Sequence, residues 1–112
     1  MRNLHTLILV LASLVASPAM AAETKIDITS PEDGSMVRAG MQNQVAYQFT
    51  LSGEADHAHL YVDGKMAGLL REAKGSATFD ALAPGMHQIC ARMVNKNHTP
   101  VGVERCIRVT AE

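Results

Sequence analysis

The stretch from His57 to Gly64 (HAHLYVDG) indicates which kind of fold this chain adopts. Ala58, Leu60 and Val62 lie two residues apart, so they project from one face of a strand. The alternate residues, His57, His59 and Tyr61, project from the other face. The Asp63-Gly64 pair at its end is a strong signal for a tight hairpin turn. This stretch therefore predicts a half-buried antiparallel strand followed by a hairpin.

The same alternation recurs along the chain, and no segment after residue 22 shows a sustained helical period. Turn-forming clusters rich in Gly, Pro, Asp and Asn separate the predicted strands, which cover residues 25–29, 45–51, 58–62, 65–70, 77–80, 87–94 and 103–109. About seven short strands at near-regular spacing are typical of an antiparallel β-sandwich of immunoglobulin-like type. The predicted fold class is therefore all-β.

The first 21 residues have the three parts of a secretory signal peptide. Arg2 supplies the positive charge, Leu7 to Val15 (LILVLASLV) forms the apolar run, and Ala19 and Ala21 are the small residues before the cleavage point. The run is shorter than the roughly 20 residues that span a bilayer, so we expect no retained membrane anchor. The sequence predicts a signal peptide over 1–21, a single domain over 22–112, and a periplasmic or secreted protein of bacterial type.

Composition excludes several functions for the mature chain. Without Arg2, nine basic residues face eleven acidic ones, which leaves a net charge of −2 with neutral histidines. No basic stripe is present to contact phosphates, so nucleic-acid binding is disfavoured. The chain contains neither a Gly-x-Ser-x-Gly elbow nor a phosphate-cradling glycine loop. We therefore predict a non-enzymatic protein.

The two cysteines, Cys90 and Cys106, allow one intramolecular pairing. An exported protein experiences an oxidising compartment, which favours a disulfide. A redox dithiol or a thiolate metal site is the alternative, but the spacing lacks the Cys-x-x-Cys pattern. If the two residues face each other across a hairpin, the midpoint falls at His98, inside a predicted loop, and the bridge lies on the outer face of the sheet.

Residues 79–95 (FDALAPGMHQICARMVN) resemble part of the fibronectin type III-like modules. In those modules a Leu-x-Pro-Gly turn precedes an aromatic residue and an alternating strand. His87 occupies roughly the position of the tyrosine in their corner motif. The resemblance implies a fibronectin III-like version of the immunoglobulin-like sandwich.

A second resemblance covers most of the mature chain. It is to small exported bacterial domains of uncharacterised function. These domains open with Ser-Pro-x-Asp-Gly, have a Gly-His-His-His-Leu strand and a Pro-Gly-x-His turn, and carry in their last loop a His followed two residues later by Pro. The matching segments here are Ser30-Pro31-Glu32-Asp33-Gly34, Asp56-His57-Ala58-His59-Leu60, Pro84-Gly85-Met86-His87 and His98-Thr99-Pro100. This chain has Ala58 in place of the middle histidine and Asp56 in place of the glycine. The resemblance implies a fold and a compartment, and it implies no activity.

Three of the four histidines of the mature chain form a candidate metal site. His57 and His59 project from one face of a strand, with β-carbons about 7 Å apart. In a sandwich the loop that contains His98 lies at the same end, and Asp56 or Glu54 would add an oxygen ligand. Such nitrogen and oxygen donors suit Cu(II) or Zn(II). The alternative is that these histidines are solvated side chains on an exposed sheet face.

The remaining histidine and the methionines have structural interpretations. His87 shares the parity of the core face, which favours a hydrogen-bonded structural histidine. Methionines are soft ligands that suit Cu(I), but those of the mature chain do not cluster, and filling gaps in a core poor in aromatic residues explains most of them. The residues concerned are Met36, Met41, Met66, Met86 and Met93.

Two classes of function remain from the sequence. The first is an interaction module of the bacterial envelope, which offers a sheet face or its loops to a protein partner, alone or as a subunit of a larger assembly. The second is a small periplasmic metal-binding protein that uses His57, His59, His98 and Asp56. The two classes differ in one expected feature. A metal-binding protein requires the three imidazoles to come within ligand range of one another, and an interaction module does not.

Overall fold

The computed structural model describes residues 23–112, so the predicted signal peptide lies outside the described residues. This part of the chain folds into eight β-strands: β1 (Lys25–Ser30), β2 (Met36–Val37), β3 (Asn43–Thr50), β4 (His57–Val62), β5 (Lys65–Leu70), β6 (Lys74–Phe79), β7 (Gly85–Val94) and β8 (Pro100–Ala111). Within residues 23–112, no helix is long and apolar enough to cross a bilayer.

The strands form two sheets that pack face to face. One sheet has the order β1-β3-β6, and the other has the order β2-β8-β7-β4-β5. Seven strands match the predicted ones within a few residues, and β2 is the addition. Two residues are too few to show alternation, and β2 pairs in parallel with β8 at the edge of the sheet. The predicted all-β, immunoglobulin-like sandwich is confirmed.

The core lies between the sheets and follows the predicted alternation. The buried residues of the cluster are Ile26, Ile28, Val45, Tyr47, Phe49, Ala58, Leu60, Leu70, Phe79, Leu82, Ile89, Ala91, Met93, Ile107, Val109 and Ala111. Leu51 is an exception. It shares the parity of Val45 but is 46% exposed, because β3 ends one residue earlier at Thr50.

The hairpin and the disulfide confirm the predicted register of the larger sheet. Asp63 and Gly64 have φ angles of 52° and 79°, the two positive values that a tight hairpin of this type requires. Cys90 and Cys106 are direct cross-strand partners of β7 and β8 and form a disulfide. Tyr61 of β4 is the register partner of Cys90, so the bridge and the tyrosine share the outer face of the sheet.

The prediction that most methionines fill the core is wrong. Of the five methionines in residues 23–112, Met93 alone is buried. The other four project outwards or lie in turns and are about half exposed or more: Met36, Met41, Met66 and Met86. Ile, Leu, Val and Ala side chains together with Tyr47 and Phe49 fill the space between the sheets, which leaves these methionines no gap to occupy.

Candidate metal centre

The structure brings His57, His59 and His98 into one cluster on the outer face of the larger sheet. The Nε2 atoms of His57 and His59 are 3.2 Å apart. The Nδ1 atom of His98 lies 3.1 Å from the first of these nitrogens and 2.9 Å from the second. Three imidazole nitrogens therefore form a nearly equilateral triangle, although His59 and His98 are 39 positions apart in the sequence.

Strand β4 and the β7–β8 loop position the three rings. His57 and His59 lie two residues apart on β4, so both point outwards. The loop is closed by Asn95, whose side-chain oxygen accepts hydrogen bonds from the backbone N–H groups of Asn97 and Thr99. His98 lies at the tip of this loop with a φ of 63°. This left-handed conformation turns its ring back over β4.

The alternative that these histidines are solvated side chains on an exposed face is wrong for His57 and His59. His57 and His59 are only 2% and 5% exposed, whereas His98 is exposed. The face was predicted correctly, but its exposure was not. His57 is the register partner of Val94, the last residue of β7, so the loop that follows Val94 folds over this end of the sheet and carries His98 onto the two rings.

The structure places Asp56 behind His57 and away from the centre of the triangle. His57 Nδ1 donates a hydrogen bond to the Asp56 carboxylate at 2.9 Å, and on the other side of the cluster His59 Nδ1 lies 3.4 Å from the Tyr61 hydroxyl. Metal-binding histidines are usually oriented by partners of this kind on their second ring nitrogen. Glu54 is exposed, and no hydrogen bond or ion pair between its side chain and the histidines occurs in residues 23–112.

At most two of the three sides of the triangle can be hydrogen bonds. Each of its three sides would need one N–H group and one lone pair. A ring of three atoms cannot alternate between two kinds, so at least one side must join two N–H groups or two lone pairs. The bond to Asp56 places the proton of a neutral His57 on Nδ1, which leaves a lone pair on Nε2. A cation bound by three lone pairs would satisfy all three nitrogens at once.

The surroundings of His59 favour its neutral form by lowering its pKa. Burial lowers the pKa of His59, and the neighbouring His57 and His98 rings lower it further, followed by Arg92 and Arg71. Neutral imidazole is the form that binds metal. The arginines lie on opposite sides of the cluster, because Arg92 is the partner of His59 on β7 and Arg71 directly follows β5.

Alternation places aromatic and charged side chains on the outer face, but it does not show that they lie beside the cluster. The Arg92 guanidinium lies 4.7 Å from the centre of the Tyr61 ring, and its Nε donates to the Glu104 carboxylate at 2.8 Å. Tyr61 in turn contacts His59. The period-two pattern places these residues on one face, but their neighbours become apparent only from the cross-strand register.

His87 lies outside the cluster and has the predicted structural role. Its Nδ1 donates to the Asp63 carboxylate, and its Nε2 donates to the Ala83 carbonyl oxygen. The second bond runs to a backbone group four residues upstream. In a tyrosine corner, the tyrosine hydroxyl likewise bonds to the backbone a few residues upstream. Because both ring nitrogens face acceptors, His87 has no nitrogen available for a metal.

Comparisons with solved structures agree with the fold. No protein-family model matches the chain, and no curated protein matches it in sequence. The fibronectin(III)-like modules of Clostridium thermocellum CbhA superpose with a TM-score of 0.65 at 17% identity, covering 78% of this chain and 96% of the module. A Jonesia denitrificans lytic polysaccharide monooxygenase gives 0.51 at 17% identity, covering 77% and 63% of the two chains. An FMN-binding β-glucuronidase from Faecalibacterium prausnitzii L2-6 gives 0.56 at 22% identity, covering 82% of this chain and 12% of the enzyme. At these identities the similarity extends to the fold alone: the chain is a fibronectin III-like β-sandwich.

Proposed function

We propose that this chain is a small, non-enzymatic metal-binding protein that holds one Zn(II) or Cu(II) ion through His57, His59 and His98. The observation that carries the proposal is the triangle of ring nitrogens, with sides of 2.9, 3.1 and 3.2 Å. Nitrogens that bind one ion at about 2.0–2.1 Å lie at about this separation from one another. Imidazole nitrogen suits both metals.

The support around the cluster favours metal binding over a chance cluster of histidines. Burying His57 and His59 costs free energy unless their polar atoms have partners. The outer ring nitrogens have Asp56 and Tyr61, whereas the inner ones have only one another. A bound cation would give all three inner nitrogens one common partner.

The experiment is a zinc titration of the exported protein. The full chain is expressed with its own signal sequence, the product is purified from the periplasm, and metal is removed with EDTA. Isothermal titration with Zn(II) is expected to show one ion per chain with a Kd below about 1 µM. Variants His57→Ala and His59→Ala should lose this binding while His87→Asn keeps it. Binding weaker than about 100 µM, or equal binding by all variants, would contradict the proposal.

The same preparation tests the proposed location. We propose that residues 1–21 are removed on export and that the mature protein is periplasmic. The intact mass of the product should then correspond to a chain that begins near Ala22. A product that retains residues 1–21, or one found only in the cytoplasm, would contradict this part of the proposal.

A second candidate function is that of an envelope interaction module. The side chains of Met66 and Leu69, on the edge strand β5, are 53% and 43% exposed and lie beside Tyr61 and His59 in the register. Aromatic residues and methionine are enriched at protein interfaces. Pull-downs from envelope extracts with the native protein and a Leu69→Lys variant test this function, with Met41→Lys as the control. A defined partner lost only with Leu69→Lys would favour it, and identical retained proteins would count against it.

A further inference from the structure

The three nitrogens also restrict the geometry that a bound ion can adopt, and this deepens the proposed function on which it rests. With metal–nitrogen distances of about 2.0 Å, the observed separations correspond to N–metal–N angles of roughly 93–106°. A tetragonal site with all three nitrogens in its coordination plane would need one pair of nitrogens on opposite sides of the ion, about 4.0 Å apart. No pair in the triangle is that far apart, so the three rings all lie on one side of the ion.

A cap of three nitrogens leaves coordination positions open on the other side. Tetrahedral Zn(II) needs one more ligand, whereas tetragonal Cu(II) would have at most two of these nitrogens in its preferred plane and would need several more ligands. In residues 23–112, no fourth His, Cys, Asp or Glu ligand atom joins the group. His98 is the exposed member, so solvent reaches the cluster from its side. We therefore expect the remaining ligand to come from solution.

The charges around the cluster determine which kind of ligand fits. Three neutral imidazoles leave the two positive charges of the ion uncompensated, and Asp56 supplies one negative charge at His57. Arg92 is paired with Glu104, whereas Arg71 has no ion-pair partner within the described part of the chain. The sum is a net positive charge around the open position, which favours an anion.

We propose that the site is a tripodal, zinc-type centre whose fourth position binds a small exogenous anion, with Arg71 contributing to the attraction. Three observations support this arrangement: the donor set, the absence of a fourth His, Cys, Asp or Glu ligand in residues 23–112, and the surplus of positive charge. In this account Arg71 acts through space on the bound anion and is not a metal ligand.

Cobalt(II) substitution tests the geometry. Co(II) replaces Zn(II) in nitrogen sites, and its visible absorption is much stronger in four-coordinate than in six-coordinate complexes. The Co(II) form of the exported protein is expected to absorb strongly and to change its spectrum on titration with azide. A weak, six-coordinate spectrum, or one that azide leaves unchanged, would overturn the inference while metal binding stands. Absence of both Zn(II) and Co(II) binding would instead overturn the proposed function.

Two arginine variants test the role of charge. Arg71→Gln is expected to weaken azide binding to the Co(II) form about two- to fivefold, the size expected for one charge acting through partly screened solvent. Its affinity for Zn(II) should not fall. Arg108→Gln is the matched control, because this exposed arginine is the β8 partner of Gln88, several residues along the sheet from His59. Equal azide affinity in the native protein and in Arg71→Gln would overturn the role of Arg71.

Discussion

The Asp56 carboxylate lies 2.9 Å from His57 Nδ1, on the opposite edge of the ring from the nitrogen that faces His59 and His98. The bond fixes the proton of a neutral His57 on Nδ1, so the lone pair of Nε2 points into the triangle. Asp56 thus orients a ring that could otherwise rotate or change tautomer. Its effect on metal binding is indirect, through His57.

Removing the Asp56 charge is therefore expected to weaken metal binding without abolishing it. Asp56→Asn should lower the affinity for Zn(II) by about 10–100-fold, the range typical of partners that orient a metal-bound histidine. Isothermal titration measures the change. Glu54→Gln is the matched control, since this nearby carboxylate is exposed and should leave the affinity unchanged. Equal losses in the two variants would show a general charge effect and contradict the orienting role.

Removing the third ring is expected to have a larger effect. His98 has a φ of 63°, a conformation that glycine adopts without strain, so His98→Gly deletes the imidazole at little backbone cost. The Zn(II) affinity should fall by more than about 100-fold, beyond the range for an orienting partner. The urea-unfolding free energy of the metal-free protein should change by less than about 0.5 kcal/mol. Native-like zinc binding by this variant would exclude His98 as a ligand.

The disulfide is expected to stabilise the sandwich mainly by restricting the unfolded chain. Cys90 and Cys106 are 16 positions apart, and closing a loop of this size contributes about 3 kcal/mol in the chain-entropy model. The double variant Cys90→Ser, Cys106→Ser should lose about this much unfolding free energy in urea. Chemical reduction of the native protein should give a similar loss. A change below about 1 kcal/mol would contradict the expectation.

The contact between His87 and Asp63 predicts a pH dependence of stability. The hydrogen bond to Asp63 raises the pKa of His87 above its ordinary value of 6.5, and the Ala83 carbonyl adds to this. The same bond lowers the pKa of Asp63 below 3.8, and the Gln88 N–H adds to this. The histidine contribution is complete below pH 6.5 and is lost as the pH rises through the folded pKa of His87. The aspartate contribution is complete above pH 3.8 and is lost as the pH falls through the folded pKa of Asp63.

The stabilisation by this pair should therefore be largest between pH 3.8 and 6.5. Asp63→Asn removes the charge and keeps a residue that tolerates the positive φ of this turn. The difference in urea midpoint between the native protein and Asp63→Asn, both metal-free, should peak in that window and shrink on either side. A difference that does not vary with pH would contradict a contribution from the ion pair.

Alternation and turn chemistry predicted most of the fold because each is a local property of the sequence. Tyr47, Leu60 and Ile89 are buried as their parity requires, and the pairing of Cys90 with Cys106 agrees with the hairpin register. The two-residue strand β2 was missed because it is too short to show a period. The exposure of Leu51 was missed because it depends on the end of a strand, which a period does not define.

The grouping of His57, His59 and His98 was predictable from the sequence, but the surroundings of the three rings were not. Parity places His57 and His59 on the outer face, and the loop midpoint places His98 at the same end. Their burial depends on how Asn95 closes the loop, and the role of Asp56 depends on a side-chain rotation. Neither feature leaves a periodic signal in the sequence. Arg92 and Arg71 approach His59 only through pairing of strands that are distant in sequence.

The most direct test of the central claim follows the histidine ring nitrogens by NMR during a Zn(II) titration of the ¹⁵N-labelled exported protein. At one equivalent, the predicted result is a metal-bound shift at His57 Nε2, His59 Nε2 and His98 Nδ1, with the His87 nitrogens unchanged. The same experiment shows whether His57 Nδ1 keeps its proton against Asp56. No shift at the three nitrogens, or equal and weak broadening at all four histidines, would contradict the account.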